Sequence, residues 1–234
     1  MALIEVRNVH KKYSQGKLEV NALNGVTLSI EKGEFLAIAG PSGSGKTTLF
    51  NLIGGLDTIT QGEIVLDGQT LNTMTQAELS TMRLHKIGFV FQTFNLIPVL
   101  SALENVEFIL MLQGRNAKDR LELATEILTD VGLGDYLHRR PGEMSGGQQQ
   151  RVAVARAIVA KPMLVLADEP TANLDSATGA ALLELMRDLN QKYQTTFLFS
   201  THDRMIMEKS KRLIMLRDGL IDEESARLFE NRPL

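Results

Sequence analysis

The run Gly40-Pro41-Ser42-Gly43-Ser44-Gly45-Lys46-Thr47-Thr48 constrains this chain more than any other stretch. It follows an apolar segment of buried-strand length, residues 35–39, and precedes a segment of helical character, residues 47–53, which Gly54 and Gly55 stop. Between a strand and a helix, glycines at this spacing let main-chain N–H groups turn inward on an anion, and the helix start adds its partial positive charge. Lys46 places a compact cation on the outer phosphates of a nucleotide, and the Thr47 hydroxyl can ligate Mg²⁺. A glycine-rich turn without consequence would show the same residues but would not need that context.

The rest of the chain reads as strands alternating with helices. Strand signals fall at residues 3–9, 22–30, 63–66, 87–91, 163–167, 196–199 and 213–216, with a turn at Glu31-Lys32-Gly33-Glu34. Helical patterns cover 116–131, 149–160 and 178–192, the first with Leu121, Ala124, Ile127, Leu128 and Val131 on one face. Such alternation implies an α/β core with a mostly parallel sheet. The helical block from about Ser101 to Pro141 interrupts it and reads as a subdomain inserted into the core.

Two further elements carry chemistry. Residues 164–167 form an apolar strand that ends in Asp168 and Glu169, at the place where an open α/β sheet puts its ligand. Asp168 would hold Mg²⁺, and Glu169 would orient or deprotonate an attacking water. An acidic pair at a strand end is on its own common; the phosphate loop upstream gives it meaning. Ser145, Gly146, Gly147 and Gln148 open a helix, and their hydroxyl and N–H groups make a second anion site. One nucleotide does not need two such sites from one chain, so this element is expected to face the phosphate loop of another copy.

With the phosphate loop, the Ser-Gly-Gly-Gln motif and the Asp-Glu strand in this order, the chain resembles the nucleotide-binding subunit of an ATP-binding cassette (ABC) transporter over nearly its whole length. The resemblance implies a P-loop NTPase core with an N-terminal antiparallel β-subdomain and an inserted α-helical subdomain. In those terms residues 1–92 and 160–220 form the core and residues 93–159 the helical part. It also implies that Tyr13 stacks on adenine, that Gln92 touches Mg²⁺ and the attacking water, that Asn173-Leu174-Asp175 couples two active sites, and that His202 contacts the γ-phosphate. Each has a blander alternative: a half-buried strand-end tyrosine, an ordinary polar residue, a surface histidine. Met144 stands where leucine is commoner, a near-isosteric change.

The implied machine is a pair of identical chains that sandwich two MgATP, with the loop of one copy against the Ser145–Gln148 element of the other. Hydrolysis removes the γ-phosphate bridge and lets the pair open. The stretches 166–175, 91–97 and 201–203 resemble the branch that contains the lipoprotein-releasing, macrolide-efflux and cell-division ATPases, with lipoprotein release as the nearest fit. The work would be done on separate integral membrane subunits, docked near Phe91, Phe94, Leu96, Ile97, Pro98 and Leu100, where charge is almost absent.

Composition narrows the classes. Lys and Arg number 25 against 28 Asp and Glu, a net −3, so no basic excess invites a nucleic acid. DNA-repair and chromosome cassettes carry a long coiled coil, and no sustained heptads occur here; ribosome-associated factors carry two cassettes, and one is present. A non-hydrolysing scaffold is opposed by intact Lys46, Asp168, Glu169 and His202. Cysteine is absent, which excludes disulfides and thiolate chemistry. No window holds the roughly 20 consecutive apolar residues of a membrane span, and the start lacks a signal pattern. A peripheral protein on the cytoplasmic face of the inner membrane is expected. The tail from Asp218 to Leu234 mixes both charges and carries no motif.

Overall fold

Alternating apolar side chains near the start make two long strands, β1 (Ala2–Gln15) and β2 (Leu18–Glu31), paired antiparallel with Ile4 opposite Ile30 and Val6 opposite Leu28. Ile4 and Val6 on β1 and Val26, Leu28 and Ile30 on β2 are buried at a period of two; Val9 is buried too, after a register shift that follows Val6. The computed structural model describes residues 2–15 and 18–222; the tail beyond residue 222 lies outside them.

After β2 come β3 (Phe35–Ala39), α1 (Lys46–Ile53), β4 (Gln61–Leu66), β5 (Gln69–Thr70), α2 (Gln76–Lys86) and β6 (Ile87–Val90). The helices α3 (Ala102–Leu112), α4 (Ala117–Asp130) and α5 (Gly146–Ile158) follow. The chain then runs through β7 (Leu164–Asp168), α6 (Ser176–Tyr193), β8 (Thr196–Thr201), α7 (Arg204–Lys209), β9 (Arg212–Arg217) and β10 (Leu220–Ile221). These elements form two compact units, one of Met1–Thr81 with Thr196–Leu234, the other of Met82–Thr195.

In the first unit, β2, β1, β4 and β5 make an antiparallel sheet in that order. Beside it, β3 pairs in parallel with both β8 and β9, and β10 returns antiparallel on β9. Every residue of β3 and β8 is buried, the mark of a strand covered on both faces. Phe35, Phe197 and Phe199 cluster there, with Phe35 and Phe199 centroids 4.7 Å apart. Each such ring stabilises the fold by about 1.5–3 kcal/mol through burial.

In the second unit, β6 and β7 pair in parallel, and α5 turns Val152, Val154, Ala155 and Ile158 into the interior. A Cβ on Gly88 would stand 2.1 Å from the Ala157 main-chain oxygen, so β6 lies directly on the α5 backbone. Helix starts are capped by short polar side chains: Ser101 on α3, Asn116 on α4, Ser145 on α5 and Asp175 on α6.

Most expected elements are present, with shifted ends. The first two strands are longer than the alternation alone indicates, because pairing with each other extends them past the apolar residues. Helix α5 begins at Gly146 and not near residue 149, because the Ser145–Gln148 capping box starts the helix immediately after the serine. Helices α2 and α7 were not expected. Neither has a long apolar stripe; α2 buries Leu79 and Met82, α7 buries Ile206.

Candidate functional site

In the first unit Ala39 lies opposite Thr201 across β3 and β8. Gly40 and His202 therefore step off neighbouring parallel strands at the same, carboxyl edge of the sheet. Gly40 and Gly45 are required by close approach: a Cβ would meet the Leu216 oxygen at 2.0 Å and the Ala22 oxygen at 2.5 Å. Gly45, at φ 102, is the N-cap of α1 and offers no side-chain cap. Among the described residues no acceptor takes the main-chain N–H groups of Ser42, Gly43 and Gly45. Donors without acceptors around an uncapped helix start form a cradle that suits a polyphosphate. Lys46 Nζ donates to the Gly40 and Pro41 oxygens at 2.8 and 2.9 Å, so the ammonium lies over the loop. The Ser44 Oγ is buried there without a hydrogen-bond partner. Thr47 is exposed, Thr48 half-buried and His202 exposed.

Tyr13 shows 41% of its surface, and its hydroxyl donates to Asp57 Oδ2 at 2.7 Å. Lys11, itself buried, donates to Asp57 Oδ1 at 2.7 Å and lies 4.7 Å from the Tyr13 ring centre. Burial pushes the Asp57 carboxyl up, but the hydrogen bonds from Lys11, Tyr13 and the Thr58 N–H outweigh it and hold the group below its usual range. Burial, then the bond to Asp57, raises the Tyr13 phenol.

In the second unit Val90 lies opposite Ala167. Gln92 and the pair Asp168–Glu169 thus leave neighbouring strands at one edge. Gln92 is exposed, both carboxylates are half-buried, and the Gln92 carbonyl accepts from Asn173 Nδ2 at 2.9 Å. Glu169 has φ 46, a left-handed backbone that is unusual for a non-glycine residue and is found at functional turns. The fully buried Gln150 donates to the next carbonyl, Pro170 O, at 2.7 Å.

Ser145 Oγ accepts from the Gln148 N–H at 3.3 Å while Gln148 Oε1 accepts from the Ser145 N–H at 2.9 Å. The serine is exposed. Gly146 starts α5, and a Cβ on Gly147 would stand 2.6 Å from the Thr178 side chain. Asp175 has both oxygens engaged: Oδ1 by the Ala177 and Thr178 N–H groups, Oδ2 by the Thr178 hydroxyl at 2.6 Å. Those bonds, the Thr178 hydroxyl first, hold it below the usual carboxylate range.

The stretch after Gln92 is held by side chains that sequence reading did not single out. Arg156 on α5 donates to the Phe94 and Asn95 carbonyls at 2.9 and 2.6 Å, and burial lowers its guanidinium from its ordinary value. Asn105 takes both main-chain groups of Ile97 and the carbonyls of Leu100 and Ser101. Of the expected docking residues, Phe91, Phe94, Leu96, Ile97 and Leu100 are half-buried, while Pro98 and Val99 are exposed, Val99 at 70%.

Known proteins bear on this geometry. Residues 23–172 match the family model of the ABC transporter. The chain is 45% identical over 235 residues to the uncharacterized ABC transporter ATP-binding protein MJ0796 of Methanocaldococcus jannaschii, covering 98% of this chain and 100% of that one. The chain belongs to the ABC transporter family. A dimeric structure of a post-hydrolysis state of the MJ0796 cassette bound to ADP and Pi superimposes with a TM-score of 0.85 at 43% identity, over 94% of this chain and 96% of that one. The macrolide export ATP-binding/permease protein MacB of Syntrophobacter fumaroxidans is 44% identical over 227 residues, or 96% of this chain. This cassette spans 32% of that relative's length.

The α/β fold with an antiparallel β-subdomain and added helices is therefore the ABC cassette fold, as expected. The matched stretch contains the loop at Gly40, Gln92, the Ser145 motif and Asp168–Glu169; Tyr13, Asp175 and His202 lie outside it. No helix among the described residues is long and apolar enough to cross a membrane.

Proposed function

We propose that the chain hydrolyses ATP as a homodimer and that opening and closing of the pair drives integral membrane subunits. The cradle of unmatched N–H donors at Ser42, Gly43 and Gly45, closed by Lys46, is the observation that carries this reading. It offers fixed donors and a cation to the phosphates of ATP, which is most of what phosphoryl transfer needs from a protein.

The remaining roles follow from side-chain chemistry. Tyr13 presents an open ring face to the adenine. His202 donates to the γ-phosphate from the strand end next to the loop. Glu169 orients the water and accepts its proton, and its fixed left-handed backbone restricts where that carboxylate can aim. Thr47, Gln92 and Asp168 supply hydroxyl, amide and carboxylate oxygens, the hard donors that Mg²⁺ prefers, and would hold it. Mg²⁺, when bound, neutralises charge on the phosphates. The Ser145 hydroxyl and the N–H groups of Gly146, Gly147 and Gln148 serve the nucleotide of the partner copy. Asp175 acts as the cap that fixes the loop between the two sites. The chain sits peripherally at the cytoplasmic face, docked through residues 91–100, without a nucleic acid partner.

For the machine driven, lipoprotein release rests on the resemblance of stretches 91–97, 166–175 and 201–203. A macrolide-type efflux is a second reading, favoured by 44–46% identity to several MacB cassettes. Glu169→Gln tests the core of the proposal: ATP should still bind and dimers accumulate, while turnover falls by about 10²–10⁴-fold. Unchanged turnover would remove Glu169 from the chemistry. Mass spectrometry of proteins co-purified from native membranes separates the two machines.

A further inference from the structure

Two consecutive non-glycine residues after Gln92 have left-handed backbones, Phe94 at φ 59 and Asn95 at φ 50. Asparagine tolerates that region; phenylalanine does not, and each such residue persists only where its surroundings impose it. Local bonds are present but short in reach: Asn95 N–H to Thr93 O at 2.6 Å, Phe94 N–H to Phe91 O at 3.2 Å, and the Thr93 hydroxyl to Asn95 Oδ1 at 2.9 Å. The strained carbonyls themselves, Phe94 O and Asn95 O, both point to one guanidinium, that of Arg156, at 2.9 and 2.6 Å. A planar fork can grip two adjacent carbonyls in one orientation; a lysine ammonium cannot fix both. Among the described residues Arg156 has no carboxylate within ion-pair distance, so these two carbonyls are its partners.

We propose that Arg156 is a positioning residue: it latches the turn at Phe94 and Asn95 to α5 and thereby sets where Gln92 stands. The inference rests on the role of Gln92 proposed above. Asn173 donates to the Gln92 carbonyl, so the backbone is held at the glutamine itself and again two to three residues further on. Because Ser145 is the N-cap of α5, the same latch ties the turn next to the docking stretch to the helix that carries the serine motif. Movement of that turn by a partner is passed to α5 through two hydrogen bonds.

The test compares the full chain with Arg156→Met, Arg156→Lys and Arg156→Met/Asn95→Gly. Hydrogen exchange without nucleotide should show amides 92–97 opening about tenfold more readily in Arg156→Met, with β3 unchanged. Turnover of ATP should fall about tenfold with KM within twofold, because binding is made elsewhere. Arg156→Lys should fall between. Glycine at position 95 accepts the left-handed backbone without a clamp, so the double variant should recover at least about threefold of the turnover. A folded Arg156→Met with unchanged exchange at 92–97, or no recovery from Asn95→Gly, would overturn the latch. If Arg156→Met does not fold, Arg156→Lys decides by the same two readouts. Absence of ATPase activity in the unaltered chain would sink the functional reading alone, since the exchange measurement needs no nucleotide.

Discussion

Asp57 receives the Tyr13 hydroxyl on one carboxylate oxygen and the Lys11 ammonium on the other, both at 2.7 Å. The phenol ring is thereby fixed to the loop that leaves the end of α1, the helix that begins at the phosphate loop. Asp57→Ala should leave the ring in place only part of the time. The loss of one charge-assisted bond is about 1 kcal/mol, or about fivefold in KM for ATP, with kcat within twofold. Steady-state ATPase measurements decide it, and an unchanged KM would detach Tyr13 from the base. The unfolding midpoint should fall as well, since buried Lys11 loses its counter-charge.

Asn105 makes a different kind of claim. Its amide oxygen accepts from Ile97 N–H at 2.8 Å, and its nitrogen donates to three carbonyls at 3.0–3.1 Å. Only 1% of the residue is exposed. Asn105→Ala would take the side-chain partner from the Ile97 N–H and the Leu100 carbonyl, while the Ile97 and Ser101 carbonyls keep main-chain donors; it should cost about 2–3 kcal/mol by urea denaturation. A cost under about 0.5 kcal/mol would mean that water replaces the side chain.

These two residues show what was legible in the sequence and what was not. The loop at Gly40, the Asp168–Glu169 strand end and the Ser145 cap could be read because each is a local pattern, with its neighbours fixing its conformation. Helix α2 had a local sign too: Thr75 and Glu78 exchange hydrogen bonds as a capping box would. That sign stands alone, because the helix lacks the broad apolar stripe by which a helix is read from sequence. Asp57, Asn105 and Arg156 gave no sign. Asp57 takes side chains 44 and 46 residues away, Asn105 reaches Ile97 8 residues back, and Arg156 holds the Phe94 carbonyl 62 residues back; a polar side chain's distant partner is not encoded in its immediate neighbours.

Gly88 and Gly43 predict losses of different size and cause for the same substitution. Gly88 has no positive φ, yet an added Cβ would stand 2.1 Å from Ala157 O. Gly88→Ala should push β6 off α5 and cost about 3 kcal/mol or more, seen as poor soluble yield and a lowered Tm. Gly43, at φ 80, has nothing within 4 Å of an added Cβ. Gly43→Ala should cost about 1–2 kcal/mol, from the left-handed backbone alone. Equal losses at the two sites would show that packing between β6 and α5 is looser than the approach of Gly88 implies.

A third clamp, remote from the nucleotide, gives a pH signature. Asp130 Oδ2 accepts from the Tyr193 hydroxyl at 2.6 Å and from the Lys192 ammonium at 2.5 Å. Burial, and then the bond to Asp130, pushes the Tyr193 phenol from 10.0 to about 12. The folded chain therefore holds this proton more tightly than the unfolded chain. Its contribution is complete below pH 10 and declines as pH rises towards about 12. At the acid end the sign reverses: burial raises Asp130, its two hydrogen bonds lower it further, and the net depression contributes above 3.8 and is lost as pH falls below that value. Tyr193→Phe removes the phenol and one bond to the carboxylate. After discounting for solvent screening at this partly exposed site, the wild type should exceed the variant by about 1 kcal/mol at pH 7. That difference should vanish between pH 10 and 12, where the unfolded phenol ionises while the folded one still holds its proton. Urea denaturation of both proteins across the alkaline range isolates it from the titrating lysines, which the two share. A difference that stays constant to pH 12 would mean that the Tyr193 hydroxyl ionises no later in the folded chain than in the unfolded one.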